Sequence, residues 1–284
     1  MITEILTFGF MQRALITGVA IAIICSIMGL FLVLKRQSLF GDALSHVAFG
    51  GIAVGLFTNI YPLWTAFIIS VLAAIGMTKL RESTKIPADS AVAVLLSSGL
   101  AIGLVLISIS SGFNLDLFSF LFGSILLVSE NDMALILIVT AGILLILSLI
   151  YKKLVYVTFD EEQAEAAGIR VRSINYLFII LSSITVIASI KLVGVLLISS
   201  LIVLPNVTAL TLRKGFRTTT YISCIISSGS VILGIIVSYI ANISPSGAIV
   251  LTNTAIFFSF LVGRYLKRKS QNSKFELTAP KSDI

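Results

Sequence analysis

His46 is the only histidine among 284 residues, and Asp42 stands one helical turn before it in the stretch GDALSHVAFGG. Residues four apart share a helix face, so a carboxylate oxygen and an imidazole nitrogen can address one point. The surrounding sequence is apolar enough to lie in lipid, where ionisable residues mostly face a cavity or pathway. Three chemistries fit the pair: an Asp–His hydrogen bond that locks two helices, a proton relay, and a divalent-metal site. One Asp and one His are too few ligands for a first-row divalent ion. Two copies of the chain across a two-fold axis supply two carboxylates and two imidazoles, a mixed set that suits Mn2+, Fe2+ or Zn2+, whereas Cu(I) wants sulfur. Around the pair, Gly41, Ala43, Gly50, Gly51 and Gly55 are small, and Gly51 and Gly55 form a small-xxx-small spacing that lets helices approach closely.

The elements that position this pair follow from composition. Hydrophobic residues make up 57% of the chain and charged residues 12%, against about 25% charge in soluble domains. The reading is an all-α polytopic membrane protein. Cys25 and Cys224 both sit in apolar runs and read as small buried hydrophobes rather than a disulfide or thiolate site. Runs of about 20 apolar residues are long enough to cross a bilayer. Ala14 to Leu34 is one, and further candidates are roughly 40–58, 62–78, 89–110, 132–151, 174–190, 192–211, 219–241 and 246–266. Alternating these through the membrane places all of the 20 Lys and Arg residues except Arg13 and Lys191 on one side, as the positive-inside rule expects. The net charge of +7 is thus a topology signal and not a nucleic-acid footprint. The N-terminus then lies outside and the C-terminus in the cytoplasm. Nine crossings result if every segment spans; the tight join at Lys191 and a re-entrant reading of 118–128 leave eight open. Lys35-Arg36 ends the first segment without a cleavage pattern, so a signal peptide is not expected. No internal repeat is visible.

The cytoplasmic loops contain no Walker-type phosphate loop, so any ATP hydrolysis belongs to another chain. The longest inner loop, 151–173, holds Asp160, Glu161, Glu162, Glu165, Ala166, Ala167 and Gly168. Asp160 suits an N-cap, the glutamates suit the positive first turn, and Gly168 suits the stop. These residues predict a two-turn helix on the cytoplasmic face, either an ordinary amphipathic loop or a helix that docks into a partner subunit. On the outer side Asp116, Glu130 and Asp132 are either solvated loop residues or a cation-attracting rim. Pro205, late in an apolar run, removes a backbone donor and can kink its helix, and broken helices often border transport cavities.

The stretch LKRQSLFGDALSHVAFGGIAVG (34–55) resembles the signature of the permease subunits of metal-ion ATP-binding-cassette importers, the manganese/zinc/iron-chelate family. FGSILLVSENDM (122–133) and VGVLLISSLIVLPNVTAL (193–210) are similar to that family in the same order, and the likeness spans about residues 10 to 266. The resemblance implies a homodimeric permease in a prokaryotic plasma membrane that is not itself an enzyme. Its implied partners are cytoplasmic ATPase subunits and an extracytoplasmic metal-binding protein. The implied cargo is Mn2+ or Zn2+, with Fe2+ behind them and no permanently bound cofactor. Asp42 and His46 map onto the family's metal ligands, and 158–169 onto its ATPase-docking helix. One departure is visible: Asn206 and Val207 follow Pro205 where small alanines are usual, which makes Pro205 and Asn206 candidates for lining the path. Residues 1–269 then form one membrane domain, followed by a polar, unstructured tail at 270–284. The rival reading is a proton-coupled secondary transporter that uses the same Asp42–His46 pair.

Overall fold

The computed structural model describes residues 8–84, 86–109, 120–123, 128–195 and 198–278, and among these every regular element is a helix. In chain order they are α1 (Gly9–Leu34), α2 (Phe40–Thr58), α3 (Pro62–Thr84), α4 (Ala88–Ile109), α5 (Glu130–Phe159), α6 (Glu161–Ala166), α7 (Val171–Val193), α8 (Ile198–Thr211), α9 (Phe216–Ala241) and α10 (Pro245–Thr278). Eight of them are long and apolar enough to cross a membrane. α1 is apolar around its whole circumference, as a helix enclosed on all sides must be, and it packs against α5, α7, α8 and α9. α2 is enclosed by α3, α4, α7 and α8.

The two ends of the bundle are chemically distinct. At one end Lys35, Glu161 and Asn175 meet, Arg172 pairs with Glu82 at 3.1 Å, and Phe216 stacks near Phe31, Tyr151 and Phe159. These residues come from the C-terminal ends of α1, α3 and α5 and the N-terminal ends of α6, α7 and α9. At the other end Arg13 at the start of α1 pairs with Glu130 at the start of α5, 3.3 Å apart. The alternation read from the basic residues therefore matches the order in which helix ends come together.

Three expectations are corrected. The segment 192–211 is not one span. α7 runs on to Val193, Gly194 turns the chain with φ of +81°, and α8 has only 14 residues. At 1.5 Å per residue α8 extends roughly 21 Å, short of the ~30 Å hydrocarbon core. The apolar run from Leu192 to Leu204 conceals the break because Gly194 is its only Gly or Pro residue. Gly194 itself is lodged against protein, as irregular backbone in lipid requires: a Cβ there would lie 2.4 Å from Leu121 O. The inner loop is also shorter than 151–173, because α5 continues through Lys152 and Lys153 to Phe159. Two lysines mark a membrane boundary, but they do not stop a helix. Likewise α10 continues to Thr278, past the point where a polar tail was expected to lose structure. No Gly or Pro interrupts residues 264–278, so polarity there changes solvation, not backbone preference. The re-entrant candidate at 118–128 lies mostly outside the described residues.

The bundle is closed by backbone approach and by paired polar groups. A Cβ on Gly51 would sit 2.6 Å from Ala66 Cα, and one on Gly50 2.7 Å from Gly99 O, so the small residues of α2 set its distance to α3 and α4. Across α1, α8 and α9, Ser26 Oγ donates to Ser223 Oγ at 2.8 Å and Ser223 Oγ to Asn206 Oδ1 at 2.6 Å. Asn206 Nδ2 donates to Ile202 O at 2.6 Å. Such interhelical bonds are worth about 1 kcal/mol each in a membrane, and this chain satisfies groups that lipid would leave bare.

The tightest approach generates a test. A Cβ on Gly29 would lie 2.2 Å from Ile202 O, whereas one on Gly142 meets nothing within 4 Å. Gly29→Ala is expected to lower stability by about 1–3 kcal/mol through overpacking. Gly142→Ala is expected to leave it unchanged or raise it by up to ~1 kcal/mol through helix propensity. Thermal unfolding of the two purified variants in one detergent checks the contrast; equal midpoints refute the close α1–α8 contact.

Candidate functional site

Asp42 lies in the first turn of α2, where the helix N-terminus favours a negative charge, and His46 follows one turn on. In the first two turns of α2 these are the two residues left partly open; their neighbours are buried. The Asp42 side chain is 24% exposed and that of His46 14%, with Nε2 and Oδ1 3.8 Å apart. That separation is too long for a hydrogen bond, which removes the reading in which the pair locks itself. Nδ1 of His46 is buried without a hydrogen-bond partner. Gly99, midway along α4, meets the backbone of His46 and Val47, so His46 sits against the middle of α4. The lone pairs of both side chains are therefore available to a third group. Two ligands bound at about 2.1 Å to one tetrahedral ion lie roughly 3.4 Å apart, close to the observed spacing. Among the described residues, no group of three or more His, Cys, Asp or Glu side chains comes together to hold a metal.

The structure treats the other candidates differently. Asn206 is fully buried and engaged by Ser223 and Ile202, and Pro205 is buried within α8. The asparagine does not loosen the packing where small alanines were expected, because Gly29 makes room for it: a Cβ there would sit 2.5 Å from Asn206 Nδ2. Neither residue lines the cavity bordered by Tyr61 and Ala188 or the one bordered by Lys35 and Ile179, and both are packed within the bundle. On the acidic rim, Glu130 is paired with Arg13. Asp132 closes a capping box with Ser129, accepting from its amide at 3.0 Å and its hydroxyl at 2.6 Å. Asp116 lies outside the described residues.

The predicted cytoplasmic helix forms as α6. Asp160 Oδ1 accepts from Gln163 N at 2.9 Å as the N-cap, and Gly168 ends the turn with φ of +79°. Ala164 is buried against α5 and α7, while Glu162, Glu165, Ala166, Ala167 and Gly168 face outward. Glu161 differs from the rest of this set because it is engaged within the chain. Its Oε1 accepts from Lys35 Nζ at 3.3 Å and from Asn175 Nδ2 at 3.1 Å. Burial pushes the Lys35 ammonium below the ordinary lysine pKa, and the Glu161 charge opposes that shift. Beside them lies a polar cavity of about 260 Å³, lined also by Thr78, Arg81 and Glu82. Sequence reasoning read Lys35 as a topology marker and did not find this cluster, since Lys35 lies more than a hundred residues before Glu161 and Asn175.

Comparison with known proteins identifies the family of the chain. The model of the ABC 3 transport family matches residues 7–264. A manganese import system permease protein of Streptococcus gordonii is 35% identical, covering 92% of this chain and 95% of its own length. A probable iron transport system membrane protein of Haemophilus influenzae is 32% identical over 89% of this chain and 93% of its own. Among solved structures, PsaBC from Streptococcus pneumoniae in complex with Fab superposes with a TM-score of 0.82 at 32% identity, covering 95% of this chain and 100% of that one. On these grounds this multi-pass, all-helical chain belongs to the ABC 3 transport family.

Proposed function

We propose that this chain is the permease subunit of an ATP-binding-cassette importer for a divalent transition metal, with Mn2+ as the leading cargo. The observation that carries it is the Asp42–His46 pair, partly open in a buried helix and too far apart to bond to each other. Oxygen and nitrogen donors suit Mn2+ or Zn2+ and do not suit a soft ion. Manganese is favoured over zinc and iron because a relative matched over nearly its whole length is named for manganese import. The half shell in one protomer is completed by the same two residues of a second copy. The outward face of α4, the helix beside His46, supports such a contact: Ala93, Ser97 and Ala101 recur every four residues there and are exposed, a spacing that favours close helix pairing.

ATP hydrolysis belongs to separate cytoplasmic subunits that grip α6. Apart from Gln163 its outward residues are short or acidic, its ends are fixed by Asp160 and Gly168, and Ala164 seats it on the bundle. An extracytoplasmic metal-binding protein delivers the ion to the opposite end, which places the C-terminus in the cytoplasm. The ion rests between the Asp42 and His46 pairs while the site opens first outward and then inward. The chain itself performs no covalent chemistry.

Two tests follow. Asp42→Asn preserves volume and removes the charge; His46→Ala removes the nitrogen donor. Each is expected to abolish Mn2+ uptake while the protein still inserts and retains its ATPase. Wild-type uptake by both variants refutes the ligand role, and uptake that follows a proton gradient through ATP depletion favours a secondary transporter. The second test is Ala166→Arg with Ala167→Arg, which adds bulk and charge to the exposed end of α6. Expression should persist while the ATPase is lost on detergent extraction; stoichiometric co-purification would show that docking occurs elsewhere.

A further inference from the structure

The corner between α1 and α2 is tied to α6 by a closed ring of three polar side chains. Lys35 caps the C-terminal end of α1, and its side chain is only 9% exposed. Its Nζ donates to Asn175 Oδ1 at 2.6 Å and to Glu161 Oε1 at 3.3 Å, and Asn175 Nδ2 closes the ring on the same Oε1 at 3.1 Å. Nζ also lies 5.9 Å from the centre of the Phe178 ring, within cation–π range. The ring joins the end of α1, the first residue of α6 and the second turn of α7. A solvated ion pair in this position would be loose and worth little. Here the ammonium is largely desolvated and shared between two acceptors, although Glu161 itself is 56% exposed, so the burial that strengthens the ring lies at Lys35.

Beyond Lys35 the chain carries little slack. Arg36 N bonds Val33 O at 3.0 Å, Gln37 N bonds Leu32 O at 2.8 Å, and Phe40 N bonds Gln37 O at 3.0 Å. Ala43 N then bonds Leu39 O at 3.0 Å. From Lys35 to Asp42 the backbone is therefore a hydrogen-bonded corner, not a flexible loop. On the other side of the ring, α6 is a short piece held by its own caps, with Glu161 as its polar hold on α1. The adjoining cavity of about 260 Å³ leaves space into which the ring can shift as a unit.

We propose that Lys35 is a coupling residue: the Lys35–Glu161–Asn175 ring passes displacement of α6 to the corner that bears Asp42. This rests on the reading of α6 as the ATPase contact and of Asp42 with His46 as the ion site. Lys35 touches neither the ion nor the partner; it positions the site according to the state of α6. An importer without this link would hydrolyse ATP with no matching movement at Asp42.

The test uses the permease–ATPase complex reconstituted in liposomes, with Mn2+ as the sole probe and with ATP hydrolysis and uptake measured together. Wild-type uptake should require ATP; uptake indifferent to ATP would overturn the importer reading and the coupling with it. Lys35→Met keeps the apolar stem against Phe178 and removes the ammonium. It should leave ATPase co-purification and hydrolysis in place. Mn2+ transported per ATP should fall by about tenfold or more, the scale of a lost coupling between two sites. Lys35→Arg, which retains charge and donors, should restore most of that ratio, and Asn175→Leu should lower it from the other side of the ring. With wild-type uptake dependent on ATP, an unchanged ratio in both Lys35→Met and Asn175→Leu overturns the coupling role and leaves the importer reading standing. Loss of the ATPase from Lys35→Met, or failure of both variants to insert, overturns it as well, since the ring would then serve docking or folding.

Discussion

Burying an ionisable side chain among apolar helices is costly unless protein surrounds it, and the enclosure of α2 is the constraint on which the other features depend. Backbone contact achieves that enclosure. Gly51 and Gly50 bring α3 and α4 against α2 with no side chain between them, so Asp42 and His46 look out through the one opening left in its first two turns. Bulkier residues at these positions would widen the gaps and admit lipid to the pair. The same logic operates one layer further in, where Gly29 admits Ile202 and Asn206 to the surface of α1.

Polar groups in this bundle fall into two sets, and the division separates structure from function. Ser26, Ser223 and Asn206 satisfy one another, and Ser227 Oγ donates to Ala22 O at 3.1 Å. These bonds hold α1, α8 and α9 together and leave nothing over for a passing ion. Asp42 and His46 make no such bond to each other, and Nδ1 of His46 has no partner. A side chain kept in the membrane at some cost, with its donor atoms unspent, is a more specific sign of an ion pathway than the presence of a polar residue. By that criterion Asp42 is a stronger ligand candidate than Asn206, whose amide is engaged by Ser223 and Ile202.

Much of this was legible along the chain, and the misses share one cause. Local signals were reliable where the deciding chemistry lay within a few residues. Asp160 caps α6, Gly168 ends it, and the basic residues mark the ends of the helices that come together. The Asp42–His46 spacing was visible because four residues make one turn. What failed depended on partners far along the chain or on backbone geometry inside an apolar run. The turn at Gly194 is stabilised by the backbone of residues 121–123, which no window around 194 contains. Lys35 carried enough local meaning as a membrane-boundary residue to hide its ring with Glu161 and Asn175. Lys152 and Lys153 were over-read in the opposite sense, as a helix end where only a solvent boundary exists.

The α1–α2 corner is where these strands meet. Ile202 of α8 lies against both sides of it: its carbonyl faces the position a Cβ on Gly29 would occupy, and its Cδ1 is 2.8 Å from the corresponding point on Gly41. Because α8 is severed from α7 at Gly194, it is a short body seated on the corner rather than the continuation of a long span. From the basic end, the Lys35 ring reaches the same corner through the end of α1. A displacement of α8 therefore presses on Gly41, next to Asp42, while a displacement of α6 pulls on Lys35, seven residues before it. An alternating-access site needs two such handles. Under the proposed importer reading, one would answer to the cytoplasmic ATPase and the other to the packing that closes the path, and both would act on Asp42 and His46 without themselves binding the ion. The glycines on this corner let α8 meet α1 and α2 at close range through Ile202, while the contact with α6 is carried by the Lys35 side chain, held in place by its two acceptors and the Phe178 ring.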